Sequence, residues 1–259
     1  MRFMHSVAPV GTGLLLLAGA CNKGERPAAA TPPGAATIAP SVLTGGATIT
    51  GEVKFEGKAP ANPMIDMTEE PKCKAVYTAT PRQPIVVVNS NGTLANVFVY
   101  VKAGLPADAK YPVSATPAVI DQQGCLYHPR VFGIMVGQTL TIKNSDGILH
   151  NIKAMGKANR PFNISQPTVM TTDRSFTTPE VMLPFECNVH GWMHAWAGVL
   201  PHPFFSTTGE DGRFTIEHLP PGTYTIEAWD EKYGTQTATV TVTGTETKTV
   251  EFRFAATAA

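Results

Sequence analysis

Charge is scarce in this chain, and what there is cancels. Asp, Glu, Lys and Arg make up 15% of the 259 residues, with 20 acidic against 20 basic side chains. So balanced a surface lacks the basic footprint of nucleic-acid binding and the strong field of a membrane-surface binder. Helical patterning is also missing, with no long amphipathic stretch. Instead, 23 Gly and 22 Pro punctuate short runs rich in Thr and Val, a composition of strands and turns. No Cys-x-x-Cys-His occurs, which argues against covalent c-type haem. No Ser-His-Asp order stands in a recognisable nucleophile context. The apolar run Leu14-Leu-Leu-Leu17 is too short to span a bilayer. What remains is an all-β chain long enough for one or two domains.

Against this background four positions stand out: His150, Cys187, His190 and Met193. They lie in Asn144-Ser-Asp-Gly-Ile-Leu-His150-Asn and Phe185-Glu-Cys187-Asn-Val-His190-Gly-Trp-Met193. Two imidazoles, a thiolate and a thioether are the donor set of a mononuclear blue-copper centre. Three of them share one short loop and can turn toward one point, while His150 must arrive from a separate strand. A lone Cys-x-x-His-x-x-Met arises by chance. Here each half has the context it needs: Val136–Asn144 alternates as a half-buried strand does, and Ala195–Leu200 reads as another. A structural or degenerate site is the alternative, and zinc is the competing metal for Cys/His donors.

The stretch Pro129-Arg-Val-Phe-Gly-Ile-Met-Val-Gly137-Gln-Thr-Leu-Thr-Ile-Lys-Asn144 through His150 resembles the first ligand region of small cupredoxins. Cys187-Asn-Val-His190-Gly-Trp-Met193 resembles the ligand loop of amicyanin, with its two-residue gap between His and Met. The resemblance covers roughly residues 113–203. It implies a Greek-key β-sandwich with type 1 copper, in which His150 and His190 are imidazole ligands, Cys187 the thiolate and Met193 the axial thioether. Gly191 departs from a position where proline is common. His194 is an extra histidine beside Met193, expected to face solvent.

The N-terminus reads as an export signal, residues 1–20, with Arg2, the leucine run and the small residues Ala18-Gly-Ala20. Cys21 follows, and the arrangement resembles a bacterial lipoprotein signal, in which that cysteine is lipidated. An ordinary signal peptide with an incidental cysteine is the alternative. Asn22 does not resemble the aspartate that retains lipoproteins in the inner membrane, so the expected address is the periplasm, anchored to the outer membrane. Residues 21–46 then form a lipidated, flexible tether. With Cys21 lipidated and Cys187 on metal, Cys73 and Cys125 remain as a disulfide pair, which an exported protein can keep.

Toward the C-terminus, Thr207–Ile216 and Leu219–Ala228 alternate as strands around Asp-Gly and Pro-Pro-Gly turns, and Thr237–Val242 and Thr249–Phe254 add two more. This part resembles the carboxypeptidase regulatory-like domain, a transthyretin-like β-sandwich. Its opening strands are expected upstream, in Ile49–Gly57 and Leu94–Val101. The cupredoxin segment, 113–203, is then inserted into a sandwich split between 47–112 and 204–255. A sequential pair of domains is the alternative. Trp196 and Trp229 read as packing residues, and Trp192 as a shield or docking surface beside the ligand loop. His128 reads as a turn residue, and His202 and His218 as exposed loop residues.

The functional expectation is a membrane-tethered periplasmic electron carrier with a redox protein as donor or acceptor. Copper storage or delivery, and a glycan-binding module with a degenerate site, are the alternatives. Catalysis by multicopper oxidases or copper nitrite reductases needs further histidine-built centres. With seven histidines and no His-x-His, the chain lacks the material for them.

Overall fold

The computed structural model describes residues 45–256. The export signal, Cys21 and nearly all of the tether lie outside the described residues. The strand β1 (Ala47–Glu56) is followed by one helical turn, α1 (Pro71–Lys74), the short strands β2 (Val87–Val88) and β3 (Leu94–Ala95), and β4 (Phe98–Ala103). Next come β5 (Ala118–Gln123), β6 (Leu126–His128), β7 (Val131–Met135), β8 (Leu140–Asn144) and β9 (His150–Ala154). They lead into β10 (Phe162–Gln166), β11 (Met170–Arg174), β12 (Glu180–Glu186) and β13 (His194–Leu200). The last strands are β14 (Phe205–Thr207), β15 (Arg213–Leu219), β16 (Gly222–Asp230), β17 (Gly234–Val242) and β18 (Thr247–Ala255). The fold is all-β, and α1 is its one helical turn among the described residues.

Period-two alternation explains the outer sandwich. In β1 every second residue, Ala47, Ile49, Gly51, Val53 and Phe55, is buried. β1 lies between β15, antiparallel, and β18, parallel. A second sheet runs β14-β4-β16-β17. Between them Val99, Val101, Phe214, Ile226, Phe252 and Phe254 form one core. Residues from both ends of the chain therefore complete the same two sheets. The intervening strands make their own pair of sheets, β10-β9-β12-β13-β7 and β11-β8-β5-β6, closed over Ile120, Phe132, Ile142, Ile152, Phe185 and Val199.

The two sandwiches meet along β4, β14, β7 and β13. Phe98, Tyr100, Val131, Met182 and Leu200 are buried there, with Trp196 and Trp229 packed against them, their ring centroids 5.4 Å apart. Arg130 bridges the junction with a fork onto Glu231, Nε to Oε2 and Nη2 to Oε1 both at 2.7 Å. Close approach requires Gly133 and Gly198. A Cβ on Gly198 would lie 2.3 Å from the Phe98 ring, and one on Gly133 2.2 Å from Phe205. Gly198→Ala is therefore expected to lower stability by about 1–3 kcal/mol through overpacking. Gly209→Ala, whose Cβ meets nothing within 4 Å, is expected to change it by less than about 0.5 kcal/mol. Equal denaturation midpoints for the two variants would contradict this junction.

His202 is corrected by the fold: it is buried, not exposed. Its Nδ1 accepts the Phe204 N–H at 3.3 Å, and its ring packs against Tyr111 and Phe204. Both neighbours belong to the core of the outer sandwich, which covers the ring. His218 lies within β15, partly exposed and in a left-handed conformation. Burial pushes the His202 imidazole down to about 4. The unfolded chain then binds the extra proton between about pH 6.5 and 4, so stability is fully present above that window and falls through it. The loss is on the order of 3 kcal/mol, and His202→Gln is expected to flatten the dependence. Urea titrations across the window test this, and unchanged slopes in the variant would oppose it.

Candidate metal centre

The candidate ligands come from two places in the inner sandwich. His150 is the first residue of β9, while Cys187 follows β12 and the loop 187–193 returns the chain to β13. That loop is closed by its own backbone: Met193 N–H donates to His190 O at 2.9 Å and Cys187 N–H to Met193 O at 3.2 Å. His150, Cys187, His190 and Met193 are all buried. The Nδ1 atoms of His150 and His190 face each other at 2.9 Å, and the Cys187 Sγ lies 3.9 Å from His190 Nδ1. An ion such as zinc holds imidazole nitrogen at about 2.0 Å and thiolate at about 2.3 Å. Nitrogens sharing it can be at most about 4 Å apart, and nitrogen and sulfur about 4.3 Å. Both separations meet these limits, and the ligand atoms of all three residues lie within 4.8 Å of one another, which makes them a candidate donor set for one metal. Met193 is fully buried in the same core cluster as Cys187, whereas its neighbour His194 is partly exposed and hydrogen-bonds Gly191 O through Nε2 at 3.0 Å.

Outer partners aim these donors. Asp146 Oδ2 meets His150 Nε2 at 2.8 Å, which turns Nδ1 toward the other ligands. The same carboxylate accepts N–H bonds from Gly124 at 2.6 Å and Cys125 at 2.8 Å. It thus holds the β5–β6 turn, in which Cys125 has φ 56°. Asn151 Oδ1 accepts the Asn188 N–H at 2.6 Å and lies 3.4 Å from the Cys187 Sγ. Burial would raise the Asp146 carboxyl, but His150 and the two backbone N–H groups hold it below its ordinary value. Burial would lower the His150 imidazole, but Asp146 and Cys187 raise it. Burial would likewise raise the Cys187 thiol, yet hydrogen bonds from His150 and His190 bring it down to about 5. The sulfur is therefore a thiolate at neutral pH, the form that binds metal.

Cys73 and Cys125 are joined in a disulfide. Cys73 sits on α1, in a segment to which the sequence assigned no role near the ligands. This segment lies against them: Ile65, Met67, Cys73 and Cys125 form a small buried cluster with Tyr77, Ile148 and Trp192. Its Cys73 Sγ is 3.6 Å from His190 Nε2, and Glu70 Oε2 is also 3.6 Å from that nitrogen. Trp192 packs between cluster and ligand loop, with its ring centroid 5.3 Å from that of His190 and Nε1 donating to Cys125 O at 2.9 Å. Sequence reasoning missed Asp146, Asn151 and Glu70. Asp146 had one usable signal, its place four residues before a candidate metal-binding histidine.

Residues 202–255 match the model of the carboxypeptidase regulatory-like domain. They carry β14–β18, and the strands that complete their sheets, β1 and β4, lie outside the match. No curated protein matches the chain. Among solved structures the chain is similar to a Cu-containing nitrite reductase (NirK) from Thermus scotoductus SA-01, at 20% identity over 38% of this chain and TM-score 0.31. That likeness spans a quarter of the reductase, 25% of its chain. An oxidised amicyanin variant is similar at 18% identity, over 39% of this chain and 97% of its own, with TM-score 0.30. A purple cupredoxin from Nitrosopumilus maritimus is similar at 24% identity, over 32% of this chain and 98% of its own, with TM-score 0.28. What the site can hold is set by its own side chains.

Proposed function

We propose that this chain is a lipid-anchored, periplasmic blue-copper protein that carries single electrons between redox proteins, and that it is a carrier rather than an enzyme. The observation that carries the reading is the convergence of the two Nδ1 atoms and the Cys187 thiolate in a buried site. Met193, buried beside Cys187, supplies the weak axial thioether. Copper bound there would supply a one-electron couple between Cu(I) and Cu(II), and this donor set suits both states. The residues contribute a fixed frame: Asp146 orients His150, Asn151 ties the Cys187 loop to β9, and the sandwich core excludes water. A frame that does not move on a change of charge keeps the cost of electron transfer small.

The test is the optical spectrum and metal content of the purified chain. An intense visible thiolate-to-copper band with one copper per chain is expected. A colourless copper complex, or zinc as the retained metal, would defeat the reading. The anchor is tested separately. Wild-type chain is expected in the membrane fraction, and Cys21→Ala to release it or block its processing, because stable attachment takes more than one acyl chain. Membrane retention without acylation of Cys21 would refute the anchor. Among the described residues no helix is long and apolar enough to cross a membrane.

A further inference from the structure

The second nitrogen of His190 faces a different pair of sulfurs. Its Nδ1 points toward His150 and Cys187, whereas Nε2 lies 3.6 Å from Cys73 Sγ. The ligand atoms of Cys73, Cys125 and His190 all lie within 4.8 Å of one another, and all three residues are buried. A cleft lined by Glu70, Pro71, Lys72, Leu149 and Val189 reaches His190 from outside. The sulfurs form a disulfide here, and a disulfide is a poor metal ligand. As thiolates they would be soft donors, and two thiolates with one imidazole suit Cu(I).

We propose that Cys73, Cys125 and His190 Nε2 form a second, thiol-based Cu(I) site when the bridge is reduced, one imidazole away from the first centre. A thiol or dithiol reductant breaks the S–S bond by exchange. Two electrons and two protons pass to the pair, and the reductant leaves as its own disulfide. Cu(I) then replaces the two thiol protons and, where the first centre already holds Nδ1, the His190 Nε2 proton as well, which leaves a bridging imidazolate; all are released to solvent. The disulfide thereby has two functions. Oxidised, it ties α1 to the β5–β6 turn beside the ligand loop; reduced, it holds a metal ion next to the histidine that serves the first centre. The proposal relies on the copper reading only for the identity of the metal.

The test uses the full chain carrying Cys187→Ser, which removes the thiolate of the first centre. One portion keeps its disulfide. The other is reduced with a phosphine in enough urea to expose the bridge, returned to buffer under argon, and titrated to confirm two free thiols. Cu(I) is then partitioned against a chromogenic Cu(I) chelator. The reduced portion is expected to hold one Cu(I) at least ~100-fold more tightly than the oxidised portion. Adding Cys73→Ser and Cys125→Ser is expected to erase the difference, and adding His190→Ala to reduce it ~10-fold. Equal affinity in the two portions, or tight binding that survives loss of both cysteines, would overturn the proposal. Failure here leaves the colour of the oxidised wild-type chain unaffected, and failure of that colour leaves this comparison intact.

Discussion

Cys187→Ser is expected to remove the visible band of the copper-loaded chain completely. It is also expected to weaken metal binding by more than about 100-fold, the upper end of what losing a mere outer partner costs. The band needs a thiolate bonded to oxidised copper, and Cys187 is the one free cysteine among the described residues. Its hydroxyl replacement occupies the same buried position but stays protonated, so neither the charge nor the soft donor survives. The fold should tolerate the change, because the contacts of Cys187 Sγ, to the His190 N–H at 3.4 Å, Asn151 Oδ1 at 3.4 Å and His190 Nδ1 at 3.9 Å, are ones a hydroxyl can also make. Near-wild-type unfolding with a colourless chain is therefore the expected pair of results. A variant that keeps its colour would place the chromophore elsewhere and remove the basis for the centre.

The candidate ligands stood out because three of the four lie within seven residues of one another, with an alternating stretch, Val136–Asn144, ahead of His150 and a strand-like one, Ala195–Leu200, after Met193. Strands of the outer sandwich were legible for a local reason: β1 and most of β15 alternate, as does β18 from Val250 onward. What was not legible is contact between distant residues. Cys73 and His190 are 117 positions apart, and nothing in Pro71-Lys-Cys73-Lys advertises that its turn packs on a ligand loop. Asp146 was hidden differently. A carboxylate in an Asn-Ser-Asp-Gly turn looks like turn chemistry, yet its oxygens are shared between His150 and the backbone of a hairpin turn 21 and 22 residues upstream. His202 misled because two flanking prolines mark a loop locally, while its burial is decided by Tyr111 and Phe204 of the outer-sandwich core.

Met193→Leu is expected to keep the colour but raise the reduction potential, and His194→Ala to leave both nearly unchanged. The two residues are adjacent where the loop enters β13, and neighbouring side chains on a strand point to opposite faces. Met193 takes the inner direction and is fully buried with Cys187 in the core of the inner sandwich, while the His194 ring bonds the Gly191 carbonyl at its partly exposed edge. Leucine preserves the apolar volume, so the packing that holds Cys187 and His190 should persist. What it removes is a weak donor that favours the oxidised metal, and the axial ligand is one of the levers on the potential of such centres. Voltammetry and optical spectra of both variants decide the matter. A silent Met193→Leu together with a strongly altered His194→Ala would reverse the assignment. A third nitrogen donor would then make the centre more basic and lower in potential, and the set of redox proteins it could serve would shift accordingly.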